Sequence, residues 1–187
     1  DDGSALLCNN NCRKNDYDED SLQARVQYRP SEDSSLGGFV GYTRRDYDQG
    51  NRNFRGLTTG FDTEWAVSGA VQMRASLGRS IEPDDDAVTG SYADTWSLNF
   101  SPTIQATGKI TVEPYLRYYD RRYKGDQLAA GQVERKDKIY MVGAEADYEF
   151  RRNMFLMASI SREQRDSNRA NLDYKANVFG LGLKVQF

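Results

Sequence analysis

The chain has 187 residues, 38% hydrophobic and 12% aromatic, with twelve Tyr and eight Phe; this aromatic content is wrong for a disordered chain. Its net charge is -3, from 25 Lys and Arg against 28 Asp and Glu mixed along the sequence, so no basic block offers a nucleic-acid groove. No apolar run is long enough for a transmembrane helix, and the absence of His removes His-dependent triads and His metal ligands.

In chain order, residues 1–20 read as an extracellular loop or N-terminal extension. Cys8 and Cys12 stand four apart there. Two thiols are too few for a zinc site, so a local disulfide is expected in an oxidising compartment, with two free thiols as the alternative.

From residue 21 onward the recurring signal has period two, the period of a strand. Ser21–Arg29 carries Leu22, Ala24, Val26 and Tyr28 on one face and Gln23, Arg25, Gln27 and Arg29 on the other. Residues 30–34 form a turn, and Leu36–Tyr47 is a Gly-rich strand whose facing the sequence leaves open. After the polar loop 48–53, Leu57, Thr59, Phe61, Thr63 and Trp65 alternate with Thr58, Gly60, Asp62 and Glu64. A tight connection near Ala66–Gly69 leads to Val71, Met73, Ala75 and Leu77, interleaved with Gln72, Arg74, Ser76 and Gly78. The acidic loop Glu82–Gly90 precedes Tyr92–Phe100.

A turn is expected around Pro102–Gly108. Ile110, Val112, Leu116 and Tyr118 then oppose Thr111, Glu113, Arg117 and Tyr119. Pro114 lies inside this strand and removes a ladder donor, which predicts a local bulge. Residues 121–138 read as the longest loop. Tyr140, Val142, Ala144, Ala146, Tyr148 and Phe150 face away from Gly143, Glu145, Asp147 and Glu149. Met154–Arg165 and Leu172–Phe187 are the last two strands. In the final strand Leu172, Tyr174, Ala176 and Val178 share one parity while the later apolar residues share the other, so a bulge near Val178–Phe179 is expected.

Short connections (after Arg29, Trp65, Phe100 and Phe150) alternate with long ones (after Tyr47, Ile81, Asp120 and Gln164). Rings cluster near strand ends: Tyr28, Tyr47, Trp65, Tyr92, Phe100, Tyr118, Tyr148 and Phe150. Short turns on one side, long loops on the other and aromatic girdles are the signature of an outer-membrane barrel. The expected fold is therefore all-β: an antiparallel up-and-down transmembrane β-barrel over residues 21–187, with about nine strands visible. Single-chain bacterial barrels normally have an even number, so the sequence is expected to be the C-terminal part of a larger barrel. The alternative is a tenth strand near Ala5–Cys8.

Phe179, Leu181, Leu183, Val185 and Phe187 put apolar groups on one face of the last strand and close on a terminal Phe. This pattern resembles the signal read by the outer-membrane barrel-assembly machinery. An extended peptide of this kind can add to a sheet edge and be recognised through alternate side chains.

The segments YLRYYDRRYKGD, ERKD and SREQRDSNRANLDYKANVFGLGLKVQF resemble the EpsL-type β-barrel porins of exopolysaccharide operons. The matching positions are Arg162, Arg165, Asp166, Ser167, Asn168, Tyr174 and Phe187. The resemblance is best over 105–187 and absent over 1–20. It implies an outer-membrane protein of a Gram-negative bacterium serving exopolysaccharide export, with envelope export proteins and the polymer as partners and outer-membrane lipid around it.

Charged groups are costly on the lipid side of a strand, so Arg25, Arg29, Asp62, Glu64, Arg74, Glu113, Arg117, Glu145, Asp147 and Lys175 are read as lining the lumen. Tyr115 and Tyr119 offer stacking surfaces for a sugar polymer. The plainer alternative is that the charges pair across strands and stiffen the wall. No cofactor or metal site is expected. An enzyme is not expected either: Asp84-Asp85-Asp86 is the one obvious carboxylate cluster, and such a run is more often solvated or a weak cation site. A general diffusion porin is the rival function, and a soluble β-sandwich binding module the rival fold.

Overall fold

The computed structural model describes residues 17–47, 53–83, 92–124 and 133–186. Cys8, Cys12, Asp84, Asp85, Asp86 and Phe187 lie outside these residues, as does the possible strand near Ala5–Cys8.

The ten strands are β1 (Tyr17–Ser31), β2 (Ser34–Tyr47), β3 (Phe54–Ser68), β4 (Val71–Pro83), β5 (Tyr92–Phe100), β6 (Thr103–Thr107), β7 (Ile110–Lys124), β8 (Lys136–Arg151), β9 (Met154–Ser167) and β10 (Tyr174–Val185). They form one antiparallel sheet in the order β1-β2-β3-β4-β5-β7-β8-β9-β10, with β6 between β4 and β7. This is the up-and-down meander of a barrel wall, each strand bonded to its sequence neighbour except β5 and β6, which share the place between β4 and β7.

β5 and β6 occupy one ladder position. Phe100 pairs with Leu116 and Ile104 with Val112, a single register interrupted at Ser101 and Pro102. Continued across the gap, that register sets Pro102 opposite Pro114. Neither has an N–H to give, so the ladder opens between them. This corrects two expectations. The turn is only Gly108 and Lys109, and Pro114 causes no bulge against β8, where Glu113, Pro114 and Tyr115 pair in sequence with Glu145, Ala144 and Gly143.

All four short connections are two-residue turns, at 32–33, 69–70, 108–109 and 152–153. In each, the incoming strand carries one extra residue, between Tyr28 and Ser31, Ala66 and Ser68, Gln105 and Thr107, and Glu149 and Arg151. A type I turn followed by a left-handed residue produces such a bulge in a short hairpin. Asn153, at φ 64°, supplies that conformation in the last of them.

The register sorts side chains into two faces. One row across the sheet runs Val26, Gly38, Phe61, Leu77, Leu98, Tyr118, Tyr140, Gln164 and Lys175. Its face is apolar and largely uncovered: Leu22, Val26, Phe61, Leu98, Val142, Ile160 and Leu181 are all exposed. Among the described residues only Phe54, Ala93, Tyr123 and Ile139 are buried hydrophobic side chains. A water-soluble sheet would seal its apolar face inside a second layer, because each exposed large side chain forfeits about 1.5–3 kcal/mol. Here there is no second layer among the described residues; lipid is the partner that fits.

Strands of 13–16 residues exceed the roughly 9–11 needed to cross the hydrocarbon. The excess lies at the long-loop end. In β1 the apolar positions Leu22–Tyr28 adjoin the turn while Tyr17–Ser21 lie beyond them. In the same way β7 runs on to Lys124 and β8 begins at Lys136, so much of the expected loop 121–138 is strand.

β10 pairs with β9 in unbroken register from Tyr174 opposite Arg165 to Val185 opposite Met154. The expected bulge near Val178 is absent. Phe179, Leu181, Leu183 and Val185 lie on the apolar face, and Tyr174, Ala176 and Val178 belong to the other one.

Candidate functional site on the polar face

The opposite face begins with the row Arg25, Phe39, Gly60, Gly78, Ser97, Tyr119, Ile139, Arg165 and Tyr174. The row nearer the turns contains Gln27, Gly37, Asp62, Ser76, Asn99, Arg117, Met141, Glu163 and Ala176. By alternation Glu64, Arg74, Glu113, Tyr115, Glu145 and Asp147 share this face. Arg29 sits at the bulge before the first turn and borders the same recess as Glu64 and Gln72. Lys175 does not join them. It pairs with Gln164 and so lies in the apolar-face row, which corrects its expected place on the lumen side.

Two glycines let rings lie flat on this face. Across β2 and β3, Phe39 covers Gly60; across β7 and β8, Tyr115 covers Gly143. A Cβ at Gly143 would stand 2.6 Å from the Tyr115 ring and 2.7 Å from the Ile160 carbonyl oxygen. Phe39 also explains why the facing of β2 was unreadable: an apolar ring points to the polar side.

The polar face of β7 reads Tyr115, Arg117, Tyr119, Arg121 and Tyr123, an alternating ladder in steps of about 7 Å. The Arg117 guanidinium lies 4.5 Å from the Tyr115 ring centroid and that of Arg121 5.7 Å from Tyr119. Arg135 stacks on Tyr123 at 4.1 Å. Tyr119 donates its hydroxyl to Asn99 Oδ1 at 3.5 Å. Below the ladder Arg74 reaches Glu113 at 3.8 Å and donates to Thr103 Oγ1 at 2.7 Å. Asp62, Glu64 and Arg74 line one shallow depression.

At the loop end the face closes on a buried ionic knot. Asp137 is fully buried. It accepts hydrogen bonds from Arg135 at 2.8 and 3.0 Å, from Arg165, and from Ser167 Oγ at 2.6 Å. Next to it, the Asn168 amide donates to the Glu134 carbonyl and its Oδ1 accepts from the Lys136 N–H, at 2.7 and 2.8 Å. Arg121 reaches Glu82 at 3.6 Å, and Tyr174 donates to Glu163. The segments ERKD and RDSN are thus two halves of one fastening between the β7–β8 and β9–β10 connections. Sequence reasoning had them as motif and loop. What it missed is the burial of Asp137, which alternation alone does not signal.

Among the described residues no group of three or more His, Cys, Asp or Glu could hold a metal ion. No helix is long and apolar enough to cross a membrane, which says nothing about crossing by strands.

A two-faced meander, apolar and bare on one side and carrying most of the charged and polar side chains on the other, is what a barrel with a watery interior requires. A family model described as "Putative beta-barrel porin 2" matches residues 10–187. The chain belongs to this β-barrel porin family. In a porin barrel the apolar face meets lipid and the polar face meets the lumen; the β7 ladder and the Asp137 knot both lie on the polar face. No curated protein matches the chain. Among solved structures, the β domain of the Bordetella autotransporter BrkA is similar, at 14% identity over 90% of this chain and 79% of that one, with a TM-score of 0.43.

Proposed function

We propose that this porin serves export of a bacterial exopolysaccharide across the outer membrane of a Gram-negative cell, the polymer passing or docking along the polar face. The observation that carries the reading is the β7 ladder: aromatic rings and guanidinium groups alternate along the polar wall. Tyrosine faces favour the apolar face of a pyranose ring, and Arg forks hydrogen-bond its oxygens. The resemblance of ERKD and RDSN to EpsL-type porins supports the same assignment. On this reading the protein is not an enzyme; its partners are outer-membrane lipid, the barrel-assembly machinery that reads Phe179–Phe187, and envelope proteins that deliver the polymer.

One observation favours a general diffusion porin instead. Arg74 with Glu113 and Arg121 with Glu82 are paired across strands, the arrangement of a merely stiffened wall. Planar-bilayer recordings separate the two. A conduit shows ion current interrupted by exopolysaccharide fragments from the source organism, whereas a diffusion porin conducts with no saccharide-dependent blocks.

A further inference from the structure

The polar face carries two arginines of an unusual kind. Arg117 lies over Tyr115 and Arg25 over Phe39, at 4.5 and 5.3 Å, and both residues are exposed. Among the described residues no carboxylate pairs with either. The other arginines of the ladder and knot do have acidic partners: Arg121 has Glu82, and Arg135 and Arg165 have Asp137. Arg117 also stands between Tyr115 and Tyr119 along the polar face of β7, in the middle of the strand and clear of the loop-end knot.

We infer that the β7 ladder is a subsite for an acidic saccharide, with Arg117, braced on the Tyr115 ring, binding a sugar carboxylate while Tyr119, the next ring along the strand, contacts the neighbouring sugar. This rests on the polymer reading above and narrows it to a uronate-type chain. A guanidinium already resting on a ring keeps its outer N–H groups directed away from that ring, a fork pre-set for bidentate carboxylate binding. The Asn99 amide, tied to Tyr119 and to Ser76 Oγ at 3.2 Å, fixes the Tyr119 ring. Neutral sugars would gain the stacking but not the charge-assisted pair.

The test uses the full-length protein in planar bilayers, with an oligouronate, a neutral glucan oligomer of equal length and a polyphosphate oligomer as blockers. Oligouronate is expected to block most strongly. Arg117→Gln should weaken that block roughly tenfold or more, the loss of a charged hydrogen-bond pair, and weaken the glucan block far less. Tyr119→Ala should weaken the block by both saccharides, and Lys109→Gln in the distant turn should change neither. If glucan blocks as well as oligouronate, the acidic specificity fails and the polymer reading stands. Polyphosphate block equal to that of oligouronate and insensitive to Tyr119→Ala would mean charge alone, and would overturn the subsite. Should no saccharide block at all, both readings fall together.

Discussion

At the residue scale, the most consequential side chain is Asp137, a carboxylate with no exposure held between two arginines. Breaking a buried pair by removing one partner leaves the remaining charges uncompensated, at a cost of about 3–5 kcal/mol. Asp137→Asn should therefore lower the urea midpoint of the detergent-refolded barrel far more than Asp166→Asn, whose side chain is exposed. Equal midpoints for the two variants would show that the knot adds nothing to stability. Asn168→Ala should fall between them, since it removes two hydrogen bonds worth roughly 0.5–1.5 kcal/mol each. Gly143 is a second sensitive point. Its missing Cβ makes room for Tyr115, so Gly143→Ala should displace that ring and cost about 1–3 kcal/mol, read in the same unfolding assay. A neutral Gly143→Ala would mean that Tyr115 lies elsewhere.

At the scale of elements, every strand was legible except β6 (Thr103–Thr107), which the sequence placed inside the turn after Phe100. Alternation is a strong signal wherever one face meets hydrocarbon, because a single-residue slip exchanges the faces. Strand ends were less legible. β7 and β8 continue past the apolar band into polar residues such as Arg122 and Lys136, where period two no longer separates the faces by hydropathy. The same weakness misled the reading of β10: Leu172, Tyr174 and Ala176 suggested an apolar parity, yet Tyr174 faces the polar side beside Arg165 and Glu163. Of the site, the polar-face residues followed from cost arguments, whereas the knot required knowing that two distant loops meet. The β10 register can be tested directly. Cysteines at Glu163 and Ala176, opposed in the ladder on the far side of the expected bulge, should cross-link under mild oxidation, because both antiparallel pair types bring Cα atoms within disulfide range. Preferential bridging of position 176 to 162 would reinstate the bulge.

For the whole molecule, the decisive property is which face meets lipid. Trp65 and Trp96 are both exposed on the apolar side, one toward the turns and the other toward the loops. Bromine placed on acyl chains should quench both strongly, while iodide in the water should quench them weakly. The reverse pattern would turn the sheet inside out and remove the porin interior. A last consequence follows from the meander itself. With nine staves alternating up and down, the first and the last, β1 and β10, point the same way. Both rims face a medium that offers no hydrogen bonds, where each bare backbone group costs several kcal/mol, so neither rim can stay unzipped. Joining them to each other would make a parallel seam in an otherwise antiparallel cylinder.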